Sequence, residues 1–262
     1  MGSREAGVDA AVTAYVLRLG DDALIAAHRL REFGDGAGAG TGAPDGMRAE
    51  AATAARELAD LAGRLLECAG RMEEQLTGVL RSADDLAYGR DTDQYTNCRL
   101  VELPNTDAAH AAVRHLLYAG YAAELCTALA RSADAAVAGL ADGALPVVAG
   151  HRQRAAGWTE RIGAAAEGRE RLAAALAAAW PDIGELFTLD GTARTAAAAG
   201  AVPDPAVLRP GWEAAVDAAL DRAGLARPDS TPTAVHGMSG RDGVHTPDFP
   251  ALIADLHARR RG

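Results

Sequence analysis

The amino-acid sequence predicts an all-α protein, and three observations carry that expectation. Apolar residues recur at three- and four-residue steps over long stretches, the spacing of one helical face. No run alternates apolar and polar residues as a half-buried strand would. Hydrophobic residues make up 49% of the chain and aromatics only 4%. Alanine therefore does much of the apolar work, which suits closely spaced helices better than β-layers.

Residues 9–33 form the clearest helix, with Val12, Tyr15, Val16, Leu19, Ala23, Ala26, Leu30 and Phe33 on one face. Gly20 interrupts its middle at a cost of about 1 kcal/mol relative to alanine, without breaking it. Gly34 ends the helix and opens a glycine-rich loop reaching Gly46. A second helix is expected over 45–74, with Leu58, Leu61, Leu65 and Leu66 inward and Glu57, Asp60, Arg64, Glu67 and Arg71 outward. Residues 82–104 carry Asp84, Asp85, Tyr88, Asp91, Asp93, Tyr95 and Asn97, a polar connection with short helices at most.

Pro104 through Asp107 supply a helix start with candidate caps. A third helix is expected over 106–131 and a fourth over 133–162. Pro146, flanked by Gly143 and Gly150, should kink the fourth or split it in two. Shorter helices follow near 165–179, 206–224 and 250–260. Four long helices joined by one long crossover describe a ferritin-like four-helix bundle with additional C-terminal helices. Residues 1–199 would form the bundle. Residues 200–262 hold seven of the eleven prolines and would pack back on it, one unit overall.

A formal charge of −10 excludes the basic face of a general nucleic-acid binder. No run of about 18 apolar residues is present to span a membrane, and no opening stretch reads as a secretion signal. Cys68, Cys98 and Cys126 are scattered, without a CxxC, which fits structural thiols in a reducing cytoplasm.

Two motifs invite testing. Gly34 through Gly40 can be forced onto a dinucleotide fingerprint, but a helix precedes it where that fingerprint needs a strand, so a flexible linker is expected. A carboxylate-bridged metal pair in a bundle needs a Glu from each of two helices and Glu-x-x-His from each of the other two. Three residues before His28, His110, His115, His151, His236, His245 and His257 stand Ile25, Asp107, Ala112, Val148, Thr233, Asp242 and Ala254, none of them Glu. Asp107, at a helix start, is expected to serve the helix end; Asp242-x-x-His245 falls in a loop. Glu73-Glu74 and Arg259-Arg260-Arg261 read as solvated charges.

Polar stripes remain. Asp21, His28 and Glu32 line the first helix, His110, Arg114, Tyr121 and Glu124 the third, and His151, Arg154 and Trp158 the fourth. Partly exposed faces and satisfied core histidines are the favoured reading. A converging polar interior or a remnant metal site is the competitor.

Five stretches, in order, carry a resemblance: Tyr15-Val-Leu-Arg-Leu-Gly-Asp-Asp-Ala-Leu-Ile with His28-Arg-Leu; Asp84-Asp-Leu-Ala-Tyr-Gly-Arg-Asp; Leu103-Pro-Asn105; Trp180-Pro-Asp-Ile-Gly-Glu-Leu-Phe187; and Gly240-Arg-Asp-Gly-Val-His245-Thr. From about residue 10 to 257, the chain resembles the PaaC-type structural subunits of the bacterial phenylacetyl-CoA epoxidases, ring-oxygenase complexes of phenylacetate catabolism. It departs from them in an alanine-rich second helix (Glu50 to Gly63), a glycine-rich preceding loop, and Pro146-Val-Val-Ala-Gly150 where a charged segment is usual.

The resemblance implies a ferritin-like fold and a structural role. An A-type catalytic subunit would hold the di-iron centre that uses O2 to epoxidise the substrate ring, and a flavin and iron–sulfur reductase would supply electrons. The chain itself would hold no cofactor and no catalytic or metal residue. Its partners would be the A-type subunit, other oxygenase components and a possible second copy of itself. Asp21, His28, Glu32, Glu124 and His151 are the residues expected to shape its polar interior or docking. Recruitment to another aromatic acyl-CoA pathway, and a stand-alone metalloprotein with a non-standard ligand set, are the alternatives. Metal analysis of the purified chain separates the latter, and co-purification with a di-iron homologue separates a ferritin-like module without any oxygenase partner.

Overall fold

The computed structural model describes residues 2–36, 42–230, 232 and 239–260, with side chains from residue 5 onward. Four long helices dominate: α1 (Gly2–Gly34), α2 (Met47–Thr77), α4 (Ala108–Leu129) and α5 (Ala135–Gly163), with the short α3 (Ala83–Tyr88) in the crossover between α2 and α4. The chain continues through α6 (Ala166–Ala179), α7 (Gly191–Ala198), α8 (Arg209–Arg222) and α9 (Phe249–Arg260). No strand occurs among the described residues. The fold is an all-α bundle of ferritin-like architecture with extra C-terminal helices.

Helix α1 packs most extensively on α2, and α4 on α5; contacts of α2 with α5 and of α1 with α4 close the bundle. Gly20 explains the first pairing. A Cβ there would sit 2.6 Å from the Leu66 Cδ2, so the missing side chain lets the two helices approach. The conformational cost of a glycine in mid-helix is offset by that close packing.

Local chemistry sets the boundaries. Asp107 caps α4, accepting from the His110 amide at 2.9 Å, and Asp134 and Asp190 cap α5 and α7 in the same way. Ser82 and Asp85 form a reciprocal capping box around α3. The polar connection holds α3 and two 3₁₀ turns, Thr92–Gln94 and Arg99–Glu102. Helix α5 runs unbroken through Pro146, so of the kink or split expected there the split does not occur. Its flanking turns carry Ala141, Ala144 and Val148 into the core, and that packing holds the helix across the hydrogen bond that Pro146, lacking an N–H, cannot donate. Helix α7 and the 3₁₀ segment Trp180–Phe187 are additions that the sequence pattern does not announce. Their apolar repeats are too short to register as periodicity.

One hydrophobic cluster runs from Val12 on α1 to Leu256 on α9. No single helix among the described residues is long and apolar enough to cross a membrane; only the bent pair Ala166–Phe187 with Gly191–Ala198 reaches that length and composition. That pair buries Leu172, Leu176 and Ile183 in the core. Most of the glycine-rich stretch read as a linker, together with His236 and Arg261, lies outside the described residues.

Candidate functional site

Helix α1 carries two polar clusters on its buried length. The first begins with adjacent aspartates. Asp21, fully buried, accepts hydrogen bonds from the Arg90 guanidinium (Nη1 at 3.0 Å, with Nη2 on the other oxygen) and from the Thr96 amide at 2.9 Å. Asp22 accepts from the Cys98 amide at 2.7 Å and from both terminal nitrogens of Arg241, at 2.9 and 2.7 Å. Pairing each carboxylate with a guanidinium and backbone amides offsets the cost of burying it. Burial alone would depress the charge on Arg241, but Asp22 beside it holds its pKa well above the ordinary value.

The same network reaches the crossover and the C-terminal segment. Glu102, fully buried, accepts from Asn97 Nδ2 at 2.8 Å, from the Thr246 amide at 2.7 Å, and pairs with His245 Nδ1 at 2.6 Å. Glu185 accepts from the Arg99 amide, Ser239 Oγ and the Arg241 amide. Asn105 Nδ2 donates to the Arg29 carbonyl at 2.6 Å. Residues far apart in sequence thus meet around α1, and all five stretches that carry the sequence resemblance contribute to the junction: Asp21 and Asp22, Arg90, Asn105, Glu185, and Arg241 with His245.

The second cluster lies further along α1. His28 and Glu32, four residues apart and so on one helical face, meet Asp255 of α9. His28 Nε2 lies 3.1 Å from Asp255 Oδ2 and 3.5 Å from Glu32 Oε1. Among the described residues neither ring nitrogen of His28 has a partner in hydrogen-bond geometry. Burial opposes the charge on Glu32, but His28 and the Arg29 guanidinium outweigh it and bring its pKa down to about 2. The carboxylate is therefore ionised at neutral pH. His28 also borders a cavity of about 310 Å3 with Arg31, Asp35, Arg56 and Tyr88.

One donor atom from each of His28, Glu32 and Asp255 falls within 4.8 Å of the others, a set that can hold a metal ion. This corrects the expectation that the chain itself offers no cofactor site. Glu-x-x-His spacing does not reveal the set, because its third donor comes from a helix more than 200 residues away in the sequence.

The remaining residues singled out from the sequence go elsewhere. His151 Nδ1 hydrogen-bonds His115 Nε2 at 3.0 Å, and the His115 ring packs against Trp158 with centroids 5.4 Å apart. Burial and the nearby Arg154 push the His151 imidazole down to about 4. Burial and His151 itself hold His115 well below the ordinary value, so both rings are neutral at pH 7. Glu124 is half-buried and 3.3 Å from Arg152. The stripes therefore do not converge on one centre: Asp21 joins Arg90, His28 and Glu32 join Asp255, His151 joins His115, and Glu124 joins Arg152. His110 turns back to Asp107. Arg259 and Arg260, read as solvated charges, are paired with Asp255, Asp35 and Asp84, and Glu73 binds Arg81.

Sequence reasoning missed Asp22, Arg90, Glu102, His115, Arg241, His245 and Asp255. For Asp22, Arg90, Arg241 and His245 the signal was their place in the five resembling stretches; for Asp255 there was none.

A family model described as phenylacetic acid catabolic protein matches residues 3–262. The chain is 29% identical over 258 residues to the C subunit of the 1,2-phenylacetyl-CoA epoxidase of Escherichia coli (strain K12), covering 95% of this chain and 96% of that protein.

Proposed function

The chain belongs to the family of phenylacetic acid catabolic proteins, and on that footing we propose that it is a structural, non-catalytic subunit of a multicomponent aromatic acyl-CoA monooxygenase. It packs against a homologous A-type subunit that holds the di-iron centre, and it works in the cytoplasm. The near end-to-end match to a relative named as the C subunit of such an epoxidase supports the assignment.

The observation that carries this reading is the donor chemistry at the centre of the four long helices. A cavity of about 50 Å3 there is lined by Val16, Leu61, Leu65, Leu125, Val137, Val148 and other apolar groups. Asp22 is the one carboxylate among the described residues that line it, and Arg241 and the Cys98 amide already occupy its oxygens. A bridged iron pair needs several carboxylates and two imidazoles pointing inward. These residues do not fit one. A bundle whose centre is committed to packing and paired charges acts as a rigid partner. Binding only the folded form of its neighbour, it stabilises that form by mass action.

Co-expression tests this. The chain should co-purify in fixed stoichiometry with a homologue bearing two Glu-x-x-His motifs, and that homologue should lose most epoxidase turnover without it. A catalytic homologue that is stable and fully active alone would remove the proposal. The His28 cluster favours a second reading, a metal-dependent activity of the chain itself. Turnover of an aromatic acyl-CoA by the isolated, metal-loaded chain would establish that reading instead.

A further inference from the structure

We propose that His28, Glu32 and Asp255 bind a single first-row divalent ion, of the Zn2+ or Mn2+ class, which clasps the C-terminal helix α9 onto α1. This is independent of any partner subunit and of whether the chain has a catalytic role.

The geometry supports it. Two ligands each about 2.1 Å from one ion, at tetrahedral or octahedral angles, lie about 3.0–3.4 Å apart. The separations of His28 Nε2 from Asp255 Oδ2 (3.1 Å) and Glu32 Oε1 (3.5 Å) are of that size before any adjustment. An imidazole 3.1 Å from a carboxylate would normally hydrogen-bond it. Here the ring is buried to 1% exposure of its side chain, and its Nε2 sits between two carboxylates without aligning on either. That is the disposition of a donor aimed at a shared point.

Charge and access also permit the ion. Arg29 binds Glu32 through Oε2, leaving the Oε1 that faces His28 outside that hydrogen bond. Arg259 binds Asp255 Oδ2, the oxygen nearest His28, so it must yield or share that atom. Each arginine has a second acceptor to retain: the Glu102 carbonyl for Arg29, at 2.9 Å, and Asp35 for Arg259, at 2.8 Å. The side chain of Asp255 is 42% exposed, and the adjoining cavity gives an entry path. One imidazole with two carboxylates suits zinc, manganese or ferrous iron better than magnesium, which prefers oxygen ligands and keeps its water. Because the donors come from α1 and α9, the ion would hold together elements that the chain separates widely.

The test uses the tag-free, full-length chain, stripped with chelator and titrated with Zn2+ and separately with Mn2+. One ion per chain should bind, with a rise in the thermal midpoint and slower proteolysis within α9. Loss of even an outer-sphere partner weakens metal sites by about 10–100-fold, so H28Q and D255N should each weaken binding by at least that factor. The exposed Asp255 can be changed without disturbing the core, so D255N keeps the test decisive should H28Q fold poorly. Absence of binding to the wild-type chain with both Zn2+ and Mn2+, each at tenfold excess, overturns the proposal. So does binding that survives D255N unchanged. Neither result bears on co-purification with a catalytic homologue.

Discussion

Asp22 and His28 stand on the same helix, both buried and both surrounded by polar side chains, yet they are satisfied in opposite ways. Every oxygen of Asp22 is used, by Arg241 and by the Cys98 amide. His28 touches two carboxylates and hydrogen-bonds neither. A closed network of charges rigidifies the fold, because each member is costly to lose. An open cluster keeps donor atoms that no hydrogen bond has claimed, and so has room to take a ligand. The contrast separates what this bundle uses to stand up from what it has to offer.

Replacing Arg241 by Met leaves Asp22 buried without its counter-charge and with only the Cys98 amide as donor, which should cost about 3–5 kcal/mol in urea unfolding. A loss below about 1 kcal/mol would mean the closed network is ornamental.

The His115–His151 pair lies between the two extremes and is read by pH. His151 titrates near 4 in the fold against about 6.5 unfolded. Its neutral form therefore stabilises the fold fully above pH 6.5. That contribution is lost as pH falls from 6.5 towards 4, because the unfolded chain takes the proton first. The loss should reach about 3 kcal/mol, and H151Q should flatten the stability–pH curve across that window.

Glu102→Gln keeps the shape but removes the charge that His245 and the Thr246 amide face, and should cost about 2 kcal/mol by denaturation. His28→Leu is expected to be the mildest. In the chelator-treated chain it takes away one of the two groups that hold Glu32 ionised while Arg29 remains, and should cost about 1 kcal/mol. A cost as large as that of R241M would erase the distinction drawn between the clusters.

Much of the architecture could be read in advance, because the long helices are amphipathic and their ends carry explicit chemistry. The Val12-to-Phe33 face, the Asp107 cap and the polar crossover each announce themselves within a few residues. Pro146 shows the limit of local reading. Its missing amide argues for a broken helix, but burial of Val148 and Ala144 on either side outweighs one lost hydrogen bond. The polar interior was legible only in fragments. Asp21, His28 and His151 lie on recognisable stripes, while their partners Arg90, Asp255 and His115 do not follow from spacing on the same helix.

Fold class, helix order and the absence of any Glu-x-x-His pair follow from the order of residues alone, since each depends on periodicity or spacing within a single helix. Tertiary structure alone decided which carboxylate meets which guanidinium, and that Asp255 returns to stand beside His28. Such pairings depend on where α9 and the crossover come to rest on α1, and that position is set by burial of the whole hydrophobic cluster rather than by any local pattern.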